Sequence, residues 1–206
     1  MNNFISIFGV GGHAKVIIES AILNGFIIDC LYDDDLQKGN LNFGEIIING
    51  AIDLNFAGTL VIAIGNNKIR RQISDRFSKA NWQTIIHPSA IISKDVIIGE
   101  GSVIMAGAII QPGTIIGKHC IINTGACIDH DCIIADFVHI GPNSSLAGGV
   151  SVREGTFIGI GSSIIPNIII GRWTNVGAGS VIITDQPDNC TTLGIPAKPI
   201  KFNNEQ

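Results

Sequence analysis

The sequence predicts a small α/β module followed by a solenoid of short β-strands stacked coil upon coil. Three observations carry this. Every sixth residue from Ile86 to Ile182, seventeen positions in all, is Ile, Leu or Val. With about a third of residues of that type, chance would give such a run roughly once in 10⁸ tries, so an apolar composition alone does not account for it. A second series, four residues later, runs through Ala108, Thr114, Cys120, Ala126 and Cys132 and stays small or β-branched. Residues 1–80 lack the hexad and read as strands alternating with helices.

In chain order, Phe4 to Phe8 reads as a strand and Gly9-Val10-Gly11-Gly12-His13 as a glycine turn. Ala14 to about Asn24 reads as an amphipathic helix. Phe26 to Tyr32 is a second strand that ends in Asp33-Asp34-Asp35. Thr59 to Ile64 is a third, followed by Gly65-Asn66-Asn67 and a helix carrying Arg70, Arg71 and Arg76. Such a module places its ligand-facing loops at strand ends. From Ile86 the period of six excludes a helix, whose period is about 3.6. It suits short strands joined by tight corners, with one aliphatic side chain inward on each side. A coil of this kind cannot bury its inner face alone, so coils must stack. The expected boundary separates residues 1–82 from residues 83–206, the latter including a C-terminal tail.

Composition narrows the function. Charged residues make up 15% of the 206 and aromatics 6%, whereas glycine appears 25 times. Mean hydropathy is +0.40, yet no apolar run reaches the ~18 residues of a membrane-spanning helix. Net charge is −4, which leaves no basic footprint for nucleic acid. The N-terminal residues lack the charged region of a signal peptide, and the five cysteines form no C-x-x-C pair. The expectation is a cytoplasmic protein with reduced thiols.

The hexad array, unbroken by any insertion, resembles the hexapeptide-repeat acyltransferases. The resemblance implies a left-handed parallel β-helix with three hexads per coil; the handedness comes from the family, because ordinary crossovers are right-handed. Gly-x-Gly-Gly-His-Ala near the start, Gly-Asn-Asn-x-x-Arg after a later strand, and then the array are similar to one subgroup. That subgroup comprises N-acetyltransferases acting on nucleotide-linked 4-amino-4,6-dideoxy sugars, with sialic acid O-acetyltransferases as close relatives. The resemblance implies an acetyl-CoA-dependent enzyme without a metal, a homotrimer with acetyl-CoA between adjacent β-helices, and an N-terminal module that holds the nucleotide sugar. Surface-polysaccharide or glycan precursor synthesis is the implied setting.

Acetyl transfer to an amine needs a base, an attackable thioester and donors for the oxyanion. On the residues alone, His130 and His139 read as surface histidines. The family pattern, a His followed by an acid, falls on His130-Asp131 and implies a catalytic pair, with Asp131 either orienting the imidazole or merely exposed. Eighteen residues on, Gly148 should lie one coil away, where its N–H could meet the acetyl carbonyl. His139 lies half a coil round and is expected to position acetyl-CoA from a neighbouring subunit. Gly194-Ile195-Pro196-Ala197-Lys198 matches a family segment near CoA, which makes Lys198 a phosphate partner or simply an exposed lysine. Gly11, Gly12, His13, Asp33, Asp34, Asn66 and Arg70 match the sugar-nucleotide positions. On the residues alone, the glycines equally make a tight turn and the aspartates a solvated acidic one. His87, beside Pro88, is expected to be structural and His119, beside Lys118, solvated. The competing readings are the O-acetyltransferase, a zinc hydratase on the same β-helix and a structural scaffold.

Overall fold

The structure is a computed structural model and describes residues 3–35 and 46–202, so the first two residues and the end of the tail lie outside it. In the N-terminal module, β1 (Phe4–Phe8), β2 (Ile27–Tyr32), β3 (Ile48–Asn49), β4 (Thr59–Ile62) and β5 (Asn81–Trp82) form one parallel sheet, ordered β3-β2-β1-β4-β5. The helices α1 (Gly12–Leu23) and α2 (Asn67–Arg76) connect these strands. Alternate residues of the sheet serve two cores. Ile5, Ile7, Leu31 and Val61 pack with Ala14 and Ile17 of α1, and also with Ile85, Val103 and Ile121 of the coils. Phe8, Leu60 and Ile62 face Ile73 and Phe77 on the α2 side. The module therefore shares a continuous apolar core with one face of the solenoid. The sequence reading started α1 at Ala14, two residues late, because Gly12 is a poor helix former that offers no propensity signal. It missed β3 and β5, edge strands of two residues each, too short to show a period.

The solenoid has seventeen two-residue strands, from β6 (Ile85–Ile86) to β22 (Val181–Ile182), in three parallel faces. Residues eighteen apart pair, as Ile110 does with Ile128 and Ile122 with Ile140. From Ile104 to Ile182 the hexad aliphatics are buried and fill the prism. The small-residue series closes the polar accounts of that interior. Ser102, Thr114, Ser144, Thr156 and Ser162 each donate a hydroxyl to the carbonyl fifteen residues ahead, on Gly117, Asp129, Gly159, Gly171 and Gly177. A hairpin of β23 (Cys190–Gly194) and β24 (Ala197–Phe202) extends the face that carries Asn175 and Val176.

The corners follow a second rule. Fourteen successive corner residues, each three after an aliphatic position from Gly101 to Gly179, have positive φ, and six of them are not glycine. Where a side chain stands at such a corner, it leans over the coil before it. His119 lies where a Cβ on Gly101 would go, Asp131 over Gly113, and Trp173 over Gly155. This corrects the expectation for His119. It is 3% exposed, its ring stacked on Phe137 at 5.3 Å and edge-on to Trp82 at 4.8 Å, with Nε2 2.9 Å from the Ser74 hydroxyl. His87 is half-buried, with Nδ1 2.8 Å from the Ser89 hydroxyl and accepting the Ser89 N–H at 3.0 Å.

Candidate active site

His130 stands at the corner between β13 (Cys127–Ile128) and β14 (Ile133–Ile134). Its Nδ1 is 2.8 Å from Oδ2 of Asp131, the next residue, whose positive φ of 59° turns the carboxylate back alongside the ring. The hydrogen bond to Asp131 is the largest influence on this imidazole, with the Asp129 charge second, and together they raise its pKa. Nδ1 is thereby occupied, and Nε2, which lies against Gly148, is the nitrogen left without a hydrogen bond among the described residues. A Cβ on Gly148 would meet Nε2 and Cε1 of His130 at 2.6 Å, so only glycine leaves room for the ring there. Among the described residues no acceptor meets the Gly148 N–H. An imidazole, the carboxylate hydrogen-bonded to it and an open backbone donor thus meet at one exposed corner.

A second constellation forms where the module joins the solenoid. Here β15 (His139–Ile140) faces the loop after β4. His139 Nδ1 is 3.3 Å from the Gly65 carbonyl and Nε2 is 3.1 Å from Asn123 Nδ2. The His13 ring lies 6.4 Å away and Phe157 packs edge-on at 5.0 Å. Burial, then the charge of Arg70, lowers His139 to about 3 and His13 to about 4, so both are neutral at physiological pH. His13 Nε2 is buried without a partner among the described residues. A groove of about 310 Å³ opens here, lined by Asn123, His139, Phe157, Gly159 and Gly177 among others. An adjoining groove of about 340 Å³ is lined by Asn66, Asn67, Lys68 and Trp173 and shares Phe157 and Asn175 with the first.

Arg70, expected to contact the nucleotide sugar, is a correction. It is 1% exposed, and all five guanidinium N–H groups meet protein acceptors. Nε donates to His119 O at 2.7 Å, Nη1 to Ile64 O and Gly65 O, and Nη2 to Asn67 Oδ1 and Phe137 O at 2.8 Å. Burial lowers its pKa to about 10, which leaves it cationic. Its role is to clamp α2 onto the solenoid. Asp33 is buried and accepts the Val10 N–H at 2.8 Å, which shapes the glycine turn. Asp34 is exposed and paired with Arg76 at 2.6 Å. Asn66 caps α2 through the Ile69 N–H. Gly11 caps α1 without a side-chain acceptor, and Gly12 is exposed beside it. Lys198 is exposed on β24, on the sheet that also carries His139.

The two constellations do not converge within one chain. Around one coil, the His130 corner joins the β13 and β14 faces, whereas His139 lies on the third face, across the prism. Sequence reasoning did not single out Asn123, Phe157 or Asn67. Phe157 was within reach, being eighteen residues after His139. Asn67 sits in the Gly-Asn-Asn run, but its bonds to Gly155 O and Thr156 O required the fold.

Residues 4–77 match the PglD N-terminal domain and residues 95–130 the bacterial transferase hexapeptide (six repeats). Perosamine N-acetyltransferase from Caulobacter crescentus, solved with CoA and GDP-perosamine, is 39% identical, with a TM-score of 0.90 over 96% of this chain and 97% of that one. The chain belongs to the hexapeptide-repeat sugar N-acetyltransferases. The acetyltransferase domain of PglB from Neisseria gonorrhoeae, solved with acetyl coenzyme A, is 35% identical, with a TM-score of 0.87 over 97% of this chain and all of that one. UDP-N-acetylbacillosamine N-acetyltransferase of Bacillus subtilis is 55% identical over 48 residues, 22% of each chain. In this N-acetyltransferase the hexads run on for nine strands beyond the matched repeats, which end at His130.

Proposed function

We propose that this enzyme transfers acetyl from acetyl-CoA to the 4-amino group of a nucleotide-linked 4-amino-4,6-dideoxy sugar. The observation that carries the chemistry is the His130–Asp131 pair set against Gly148. The amine nitrogen attacks the thioester carbonyl, forming C–N. The Gly148 N–H faces the developing oxyanion. His130 Nε2 takes the amine proton, the C–S bond breaks, and the proton passes to the departing CoA thiolate. Asp131 acts by orienting the ring and stabilising its imidazolium form. The uncapped α1 N-terminus at Gly11 and Gly12, beside His13, suits the sugar nucleotide's phosphates, with Asp33 holding the turn and Asp34 and Asn66 at its margins. The groove by His139 suits the pantetheine arm, and Lys198 a phosphate of CoA. The setting is glycan precursor synthesis in the cytoplasm, a reading that the five free thiols support.

The working unit in this reading is a homotrimer. Two observations support it. His130 and His139 lie across the prism from one another. The β14 face beside the His130 corner carries Ile97, Ile115, Ile133 and Ile169, between 38% and 61% exposed, an apolar stripe suited to another copy of the chain. Light scattering should give three chains per particle; a fully active monomer would overturn the trimer. The activity is tested by thiol release from acetyl-CoA across UDP-, dTDP- and GDP-linked 4-amino sugars and free sialic acid. Turnover with a nucleotide-linked amine is expected; release with sialic acid alone would replace this reading with O-acetylation.

A further inference from the structure

The Gly65 carbonyl receives two donors. Arg70 Nη1 lies 3.3 Å from it, and so does His139 Nδ1. A carbonyl oxygen can only accept, so Nδ1 of His139 must carry hydrogen. On a neutral ring the lone pair is then at Nε2. Asn123 agrees independently. Its Oδ1 accepts the Thr124 N–H at 2.8 Å, which fixes the amide with Nδ2 toward His139 and makes it the donor to Nε2 at 3.1 Å. The guanidinium that holds Gly65 is fastened at four other acceptors and lies at the centre of the module–solenoid junction.

We propose that Arg70 is a positioning residue for the groove: by holding the Gly65 carbonyl, it holds His139 as the Nδ1–H tautomer, whose Nε2 lone pair accepts the Asn123 amide, and so fixes the His139–Asn123 pair on the groove wall. The arginine therefore acts on bound ligand at second hand, by fixing the ring and the amide that line the groove. Lysine cannot replace it, since one ammonium cannot reach acceptors on the β4–α2 loop and on two coils together. The consequence for turnover rests on reading this groove as the acetyl-CoA groove, whereas the tautomer does not.

The test is ¹⁵N NMR of histidine-labelled enzyme near neutral pH, assigned with His139→Gln. His139 is expected to show a protonated Nδ1 and a bare Nε2. In Arg70→Lys the Nδ1–H signal should move as its bond to the Gly65 carbonyl loosens, and KM for acetyl-CoA should rise about tenfold with a smaller change in kcat. An Nε2–H tautomer in the wild type overturns the proposal. So does a folded Arg70→Lys that keeps both the spectrum and the KM. Should Arg70→Lys not fold, Asn67→Ala, which removes one guanidinium acceptor, must move the Nδ1 signal in the same direction; an unchanged signal overturns it. Because the spectrum needs no substrate, its failure is separate from any failure of His130 as base.

Discussion

At the scale of single residues, the difference between the histidines is one of solvation. His130 is exposed beside two aspartates that favour its cation, whereas His139 is buried beside an arginine that disfavours it. Only the first can exchange a proton with a sugar ammonium within the working pH range. His130→Ala should lower turnover about 10²–10⁴-fold while leaving acetyl-CoA affinity nearly unchanged, because His130 does not line the groove proposed for acetyl-CoA. Steady-state kinetics with equilibrium binding checks this, and a near-wild-type rate would mean another group is the base. The pH profile tests Asp131. Since Asp131 raises His130 above the ordinary 6.5, kcat/KM should climb with pH along a limb displaced upward from that value. Asp131→Asn removes the largest cause of the shift and should move the limb to lower pH. A limb that stays in place would assign it to some other group.

At the scale of elements, each coil is held by one inward aliphatic per side and one small residue per corner. Ile122, fully buried at mid-array, pairs with Ile104 and Ile140. Ile122→Asp places a carboxylate among hydrocarbon and should cost several kcal/mol, read as a large drop in Tm. An unchanged Tm would mean the prism is not the source of stability. The hexad made this element legible in the sequence, because burial in a regular coil repeats at one fixed interval. The same interval placed Gly148 against His130. The positive-φ corners were harder to see, because Asp131, Phe137 and Trp173 occupy positions at which glycine is the usual choice. Arg70 and His119 could not be placed from sequence at all. A motif shows that an arginine follows Gly-Asn-Asn, but not that two coils from elsewhere in the chain close over it.

At the scale of the whole molecule, the module and solenoid are joined through an apolar core that has three neutral histidines and one cation at its margin. His13 and His119 are lowered to about 4 and His139 to about 3, in each case first by burial and then by Arg70. The unfolded chain would protonate the same three rings near 6.5. Between that value and about 4, the unfolded state therefore binds up to three more protons than the native one, and stability must rise with pH across the window. It is fully present above 6.5 and is lost progressively as pH falls toward 4. Ordinary carboxylates titrate lower, so a decline that begins near 6.5 belongs to histidine. Tm should fall between 6.5 and 5, with the raised pKa of His130 working in the opposite direction and reducing the slope. His119→Phe, which keeps a ring between Trp82 and Phe137, should lessen that slope by about one proton. The first contacts to loosen should be those around Arg70, because each protonation adds a positive charge beside a guanidinium that has no carboxylate among its hydrogen-bond partners. Hydrogen exchange at pH 5 should then show α2 opening before the coils do. A Tm independent of pH from 7.5 to 5 would mean that these rings are solvated in solution and that the module is held by its apolar core alone.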